Sequence, residues 1–373
     1  MSFSILGIPA PLHSILQSKG IEKPYPIQEK AIPAIASGKD VMGVSPTGSG
    51  KTLGYVLPVL MKLQKLPKAK NRNIQVLVMV PTRELAVQVK DVFQQYGGAL
   101  DRPIKSMAVY GGVSINPQMK NLMGVDVLIA TPGRLLELID NKALQLLSTE
   151  VLILDEADKM LNQGFEGEMK QVLALLPKRR QNLLFSATLN DKVESITKLV
   201  LHNPEVVKVD DDVNVLELIK QTAYSVSADK KGVLLRDLIK EKEMKQVLVF
   251  TASGFKADHI AHKLRKNGIK AEAIHGKKSQ GNRTHVLQQF KQGQITALIA
   301  TDILARGIDI QFLPFVINYE LPRSPKDFVH RIGRTGRAEN PGEAITMFSA
   351  EEEAHFRVIQ KKMGRWVNVV NVD

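Results

Sequence analysis

The chain has 373 residues, 44% of them hydrophobic and 24% charged, the composition of an ordinary folded protein of about two domains. It contains no cysteine, which excludes disulfide frameworks, thiolate zinc sites, iron–sulfur clusters and cysteine nucleophiles. The 51 Lys and Arg outnumber the 38 Asp and Glu, and this net +13 points to a polyanionic partner bound through its phosphates, or else serves solubility alone.

Taken in chain order, the first strand expected is Asp40-Val41-Met42-Gly43-Val44. It runs into Ser45-Pro46-Thr47-Gly48-Ser49-Gly50-Lys51-Thr52 and then into a helix-like segment. This is a phosphate-binding loop in its proper setting. Small residues let successive backbone N–H groups converge on phosphate oxygens, the helix N-terminus adds a positive dipole, Lys51 brings a point charge, and Thr52 can ligate Mg²⁺. The plain alternative is a glycine-rich turn with an incidental lysine, and the strand–loop–helix setting argues against it.

Short β-branched runs follow: VLVMV ending at Val80, VLIA at Ala130, VLIL at Leu154 and LLF at Phe185. Their apolarity is continuous rather than alternating, so both faces of each strand are expected to be buried. VLIL leads directly into Asp155-Glu156-Ala157-Asp158. A carboxylate at the end of a buried strand is where a nucleotide-hydrolysing α/β domain holds its metal. Asp155 would bind Mg²⁺ through water, and Glu156 would orient and deprotonate the attacking water. Alone, the tetrapeptide reads equally well as an acidic helix start; about 100 residues after a phosphate loop it reads as the other half of the site.

Pro204 to Lys220 holds the acidic run Asp210-Asp211-Asp212 and no clear element before Leu216, so a linker is expected over 207–219. The rhythm then resumes with VLVF ending at Phe250, ALIA at Ala300, FVINY at Tyr319 and AITMF at Phe348. Leu128-Ile129-Ala130-Thr131 recurs as Leu298-Ile299-Ala300-Thr301. Two similarly folded α/β domains with mainly parallel sheets flanked by helices are therefore expected, over 1–206 and 220–373. A cut at residue 215 leaves +4 on the first part and +9 on the second.

Met160, Met169, Leu173 and Leu176 recur at helical spacing and are expected in a core. His259, His262, His275 and His285 lack a metal-ligand arrangement. Trp366 is expected to pack near the C-terminus. No apolar run reaches the roughly 18 residues that cross a bilayer, and Met1 to Pro9 has no signal-peptide pattern, so a cytoplasmic location is expected.

The ordered set of motifs resembles the DEAD-box RNA helicases of helicase superfamily 2 over nearly the whole chain. Phe3, Gly20, Pro24, Pro26, Ile27 and Gln28 match the family's Q motif, which implies that Gln28 reads the adenine edge and Phe3 stacks on the base. The phosphate loop departs from the usual family sequence at Ser45 and Pro46, where Ala and often Gln stand, and keeps Gly48, Gly50, Lys51 and Thr52. Pro81-Thr82-Arg83-Glu84-Leu85-Ala86, Gly111-Gly112 and Thr131-Pro132-Gly133-Arg134 resemble the first-domain RNA motifs. Their hydroxyls, N–H groups and guanidinium groups are phosphate donors, although each alone fits a turn and helix cap as well. Ser186-Ala187-Thr188 resembles the motif coupling hydrolysis to strand separation, with its hydroxyls expected on Asp158 and with His330 in the same coupling set.

In the second half, Thr251 of Val249-Phe250-Thr251, Gln280 with Arg283, and Thr301-Asp302 match RNA motifs. Asp309, closing Ala305-Arg306-Gly307-Ile308-Asp309, is implied to reach the ATP ribose. Arg334 and Arg337, within His330-Arg331-Ile332-Gly333-Arg334-Thr335-Gly336-Arg337, are implied arginine fingers for the γ-phosphate. The resemblance implies two tandem RecA-like domains. The nucleotide would be held by Phe3, Gln28, Ser45, Thr47, Gly48, Ser49, Gly50, Lys51, Thr52 and Asp309. Catalysis would fall to Glu156, Lys51, Asp155, Arg334 and Arg337. The implied activity is that of a monomeric ATP-dependent RNA helicase using ATP and Mg²⁺, which separates short RNA duplexes locally or remodels ribonucleoprotein with weak sequence selectivity. An ATP-gated RNA clamp with suppressed hydrolysis is the rival reading, and a DNA-translocating helicase a weaker one.

Overall fold

The strand ahead of the phosphate loop forms as Val41–Val44 (β1). A computed structural model of the chain describes residues 2–46, 48–209, 219–302, 313–336 and 342–372, apart from the side chain of Lys326. It divides into two units, Met1–Asp211 and Asp212–Asp373. In the first, β1 is joined by Val76–Met79 (β2), Ser106–Val109 (β3), Val127–Ala130 (β4), Val151–Leu154 (β5), Gln181–Ser186 (β6) and Glu205–Lys208 (β7). The second holds Ile219–Ser225 (β8), Val247–Thr251 (β9), Ala271–Ile274 (β10), Ala297–Thr301 (β11), Phe315–Asn318 (β12), Gly342–Phe348 (β13) and Asn368–Asn371 (β14).

The two sheets run β3-β4-β2-β5-β6-β1-β7 and β10-β11-β9-β12-β13-β8-β14, with parallel pairing throughout. Shifting every strand number of the first sheet by seven gives the second, so the units share one RecA-like topology. The repeated Leu-Ile-Ala-Thr tetrapeptide falls on β4 and β11, which occupy equivalent places in the two sheets.

Burial on both faces explains the unbroken apolar runs. Val76 and Val78 of β2 pack into one core layer of the first unit while Leu77 and Met79 pack into the other. In the second unit Val247 and Val249 face one layer, and Leu248 and Phe250 the other. Each such side chain contributes about 1.5–3 kcal/mol of transfer free energy, so these strands hold their register firmly. Met160, Met169 and Leu176 are buried in the first unit, with Leu173 packed against them.

Three expectations change. The 207–219 segment is not linker throughout, because β7 extends to Lys208 and β8 begins at Ile219; residues 210–218 lie outside the described residues. Strand β7 escaped notice because it is an edge strand whose Glu205, Val206 and Lys208 face solvent. Strands β3, β10 and β14 likewise lack a long apolar run. Trp366 is not packed: it is 69% exposed, on the approach to the edge strand β14, all of whose residues are exposed.

Candidate nucleotide and RNA site

A parallel sheet sends every strand out at the same edge, and ligands of such sheets bind beyond the strand C-termini. In the first unit β1 leads into the phosphate loop, β2 into Pro81–Ala86, β3 into Gly111-Gly112, β4 into Thr131–Arg134, β5 into Asp155–Asp158 and β6 into Ser186–Thr188. Six motifs spread over some 140 residues of chain therefore meet along one edge.

Gly50 takes φ +85° and precedes the helix Lys51–Gln64. A Cβ there would lie 2.4 Å from Gln28 Nε2 and 2.7 Å from the Tyr25 ring, so only glycine lets the Q-motif helix Pro26–Ala36 close on the loop. Gln28 is fully buried: its Oε1 accepts from the Tyr25 N–H at 3.0 Å and its Nε2 donates to the Gly50 carbonyl at 2.9 Å. These bonds use one of its two amide hydrogens and one of its two lone pairs. Lys51 Nζ donates to the carbonyls of Ser45 and Pro46, each at 2.6 Å. Burial pulls its pKa down, against the pull of Asp155 and Glu156. The Ser45 and Ser49 hydroxyls bond each other at 2.7 Å, which ties the two ends of the loop, and Gly48 has φ +84°. Thr47 lies outside the described residues.

Asp155 is buried. Its Oδ2 accepts from the Tyr55 hydroxyl at 2.8 Å and its Oδ1 from the Glu156 N–H at 2.9 Å. Burial first, and then the Glu156 charge, raise its pKa to about 6 in spite of Lys51 and these hydrogen bonds. Thr52 and Tyr55 stand one turn apart on the helix that opens at Lys51, so the helix that closes the loop also delivers the phenol to the carboxylate. Glu156 sits at φ +53°, turning its side chain away from the line of β5. Its Oε1 pairs with Lys159 Nζ at 2.6 Å, and its Oε2 is buried with no partner among the described residues. A buried free carboxylate oxygen is the acceptor a general base requires.

Thr188 Oγ1 donates to Asp158 Oδ2 at 3.1 Å, as anticipated. The Ser186 hydroxyl does not: it donates to the Thr188 carbonyl at 2.8 Å and accepts from the Thr188 N–H at 3.3 Å, shaping the turn that delivers Thr188. Phe3 also departs from expectation. It is fully buried in the first core beside Leu12, Leu16 and Ile27, so its ring is not available to a base. A buried and an exposed aromatic look alike in sequence, so position alone does not decide which Phe3 is. The aromatic beside Gln28 and Gly50 is Tyr25, 40% exposed; its place before Pro26 was the only signal for it.

On the same edge Thr82 Oγ1 caps the helix Arg83–Gly97 by accepting from the Leu85 N–H, following the buried Pro81. Arg83 lies against Gly112 (φ +75°), where a Cβ would meet the guanidinium at 2.3 Å. Arg134 is buried. It donates through Nη2 to the Val113 carbonyl at 2.7 Å and through Nε to Glu137 at 2.8 Å, and Nη1 has no partner among the described residues. Arg83, Gly112 and Arg134 thus come together, with Thr131 buried at the start of the helix Pro132–Asp140, Gly133 exposed in its first turn and Gly111 beside Gly112.

In the second unit Arg283 Nη2 donates to Gln280 Oε1 at 2.6 Å, and the Thr251 hydroxyl donates to the Ser253 carbonyl at 3.2 Å. Thr301 ends β11. Asp302 follows it, but its carboxylate is engaged: Arg331 donates Nε to Oδ1 at 2.6 Å and Nη2 to Oδ2 at 2.8 Å. Asp302 therefore anchors Arg331 rather than offering itself to RNA, where a carboxylate would repel phosphate. Arg334 is buried just beyond the helix Pro325–Ile332, and His330 is partly exposed in that helix's last turn. Asp309 and Arg337 lie outside the described residues. His275 is a buried partner of Asp258 at 2.9 Å.

The DEAD/DEAH box helicase family model matches residues 25–196, and the helicase conserved C-terminal domain model matches 230–339. The chain is 38% identical to the ATP-dependent RNA helicase CshA of Listeria monocytogenes, over 96% of this chain and 68% of that protein. It is also 38% identical to the mitochondrial DEAD-box ATP-dependent RNA helicase 9 of Arabidopsis thaliana, over 99% of this chain and 60% of that one. Among solved structures, S. cerevisiae Dbp5 bound to RNA and ADP BeF3 superposes with a TM-score of 0.85 at 30% identity, covering 100% of this chain and 96% of that one. A DEAD box protein of Methanococcus jannaschii gives 0.58 at 35% identity, with 99% of each chain covered. The chain belongs to the DEAD-box family of ATP-dependent RNA helicases.

Proposed function

We propose that the protein couples ATP hydrolysis to RNA binding, separating short duplexes locally or remodelling ribonucleoprotein rather than travelling along RNA. The observation that supports this best is the meeting, on one sheet edge, of Lys51, Asp155, Glu156 and the Asp158–Thr188 pair with Arg83, Gly112 and Arg134. Thr188 links the loop after β6 to the acidic motif after β5, so a change at one of these two loops is passed to the other through a single hydrogen bond.

In this reading Gln28 selects adenine and Tyr25 borders it, while Lys51 and the loop N–H groups hold the phosphates. Glu156 Oε2 accepts the proton of the attacking water. Arg334 and Arg337 stabilise charge developing on the γ-phosphate, and Asp309 holds the ribose. Mg²⁺ suits the donor set as a hydrated ion. Both Asp155 oxygens already accept hydrogen bonds, Thr52 is close, and no group of three or more His, Asp or Glu side chains converges to cage a metal among the described residues. Bound there, the ion would neutralise phosphate charge. RNA is gripped at Pro81, Thr82, Arg83, Gly111, Gly112, Thr131, Gly133 and Arg134, and at Thr251, Gln280, Arg283 and Thr301, mainly through its backbone and so with weak sequence preference. Asp302 and His330 act behind this grip. The enzyme is read as a cytoplasmic monomer; separately, no helix among the described residues is long and apolar enough to cross a membrane.

Multiple-turnover ATP hydrolysis with and without single-stranded RNA, together with strand release from a short duplex, tests the proposal. Strong stimulation by RNA with strand release is expected. A tight ATP-dependent RNA complex without turnover would replace it with the clamp.

A further inference from the structure

A single exposed apolar side chain is ordinary on a protein surface, but Phe255 is set apart by its surroundings. Phe250, Phe290, Phe328 and Phe356 of the same unit are buried, whereas Phe255 is 82% exposed. One turn further along the helix Gly254–Lys266, the exposed His259 lies parallel to it, with ring centroids 6.5 Å apart and planes 8° apart. Two π-faces are thus presented in line on a helix surface.

Charges on this helix and the loops beside it are mixed: His259, Lys256 and Lys263 line one pocket together with Asp229, Glu320, Glu351 and Glu352. Lys256, Arg265 and Lys278 are matched by Glu320, Glu272 and Asp258. Lys263 and Lys266 on the same helix, and Lys277 beyond β10, have no acidic partner among the described residues. The helix also starts where β9 ends, on the ligand edge of the second sheet. A Cβ on Gly254 would lie 2.7 Å from His275 Nδ1, so Phe255 stands next to the end of β10, from which the chain leads to Gln280 and Arg283.

We infer that Phe255, backed by His259, is a stacking platform for an unpaired base of single-stranded RNA, with Lys263 and Lys266 taking the flanking phosphates. This rests on the RNA reading above and adds a base contact to a grip otherwise made on the backbone. Stacking suits such a protein because every base has a π-face, so affinity rises without sequence selectivity. His259 adds a second, parallel face one turn along the helix.

The test is fluorescence anisotropy of a labelled single-stranded 12-mer titrated with the full chain and a non-hydrolysable ATP analogue. Phe255→Ala is expected to weaken binding about tenfold and Phe255→Trp to preserve it, with RNA-free ATP hydrolysis unchanged. RNA with abasic positions should bind the unmodified protein as weakly as ordinary RNA binds Phe255→Ala. In the double variant Phe255→Trp, Trp366→Phe the single indole should be quenched on adding RNA. Equal affinity of Phe255→Ala and unmodified protein, with no quenching, would overturn the platform and leave the ring to a protein partner. Failure of the unmodified protein to bind RNA at all would instead remove the RNA reading.

Discussion

The Tyr55 hydroxyl donates to Asp155 Oδ2 at 2.8 Å from one helical turn beyond Lys51, and both residues are buried. Tyr55 is wedged against Phe93 and Phe185, with ring centroids 6.5 and 5.2 Å away, so the phenol has little freedom to move. Burial and the Asp155 charge raise the Tyr55 pKa well above its ordinary value, which keeps it a donor. Tyr55→Phe removes only this hydroxyl. We expect an unchanged fold, an unchanged affinity for metal-free ADP, and a several-fold higher Mg²⁺ concentration for half-maximal binding of fluorescent ADP. The same Mg²⁺ dependence in both proteins would show that the phenol does not set the carboxylate.

Asp155 carries a stability cost with a defined pH range. Its pKa is about 6 in the folded protein and near 3.9 in an unfolded chain, a difference on the order of 3 kcal/mol. The folded state therefore holds the proton more tightly. The stability this gives is present in full below about pH 4 and is lost as pH rises through 6. Asp155→Asn should accordingly melt higher than the unmodified protein at pH 8, with the gap narrowed to roughly a third at pH 4.5, while losing ATP hydrolysis. Nucleotide-free thermal melts at the two pH values check the sign.

Glu156→Gln keeps the size of the side chain but removes the acceptor charge at Oε2. ATP binding should survive and hydrolysis fall by roughly 10² or more, with a long-lived RNA complex. Because Lys159 holds the other oxygen at 2.6 Å, Lys159→Met should also slow turnover, by a smaller factor, through loss of orientation. Single-turnover rates separate the two, and a near-normal rate for Glu156→Gln would remove it as the base.

Gln28 joins base selection to loop anchoring. Gln28→Glu cannot donate to the Gly50 carbonyl, so it should weaken binding of ATP and GTP alike by about tenfold or more and lower the melting temperature. Gln28→Ala should also erase the preference for ATP over GTP. Competition titrations with the two nucleotides measure both effects.

The arginines of the last motif should divide by role. Arg331 is buried, forks onto Asp302, donates to the Glu320 carbonyl at 2.6 Å and lies 4.9 Å over the Phe250 ring. Arg331→Ala leaves Asp302 without its partner and should destabilise the second unit by about 3–5 kcal/mol, with Arg331→Lys a partial loss because it lacks the fork. Arg337→Ala should lower kcat by roughly 10² or more.

Much of this protein is decided within its sequence. Continuous apolar runs such as Val76–Met79 and Val247–Phe250 specify doubly buried parallel strands, because only burial on both faces tolerates them. The turns that follow carry their chemistry in local residue type, so the phosphate loop and the Asp155–Asp158 motif were legible without coordinates. What tertiary structure alone decided is which side chains those turns spend on one another. Phe3 enters the core, Tyr25 takes the place beside Gln28, Ser186 turns to Thr188, and Asp302 is used by Arg331, since exposure and hydrogen-bond pairing depend on residues distant in the chain. The Tyr55–Asp155 bond spans 100 positions, and no local pattern encodes it. Strands β7 and β14 were hidden for the converse reason: at a sheet edge the faces need not be apolar, so the signal that marks a central strand is absent.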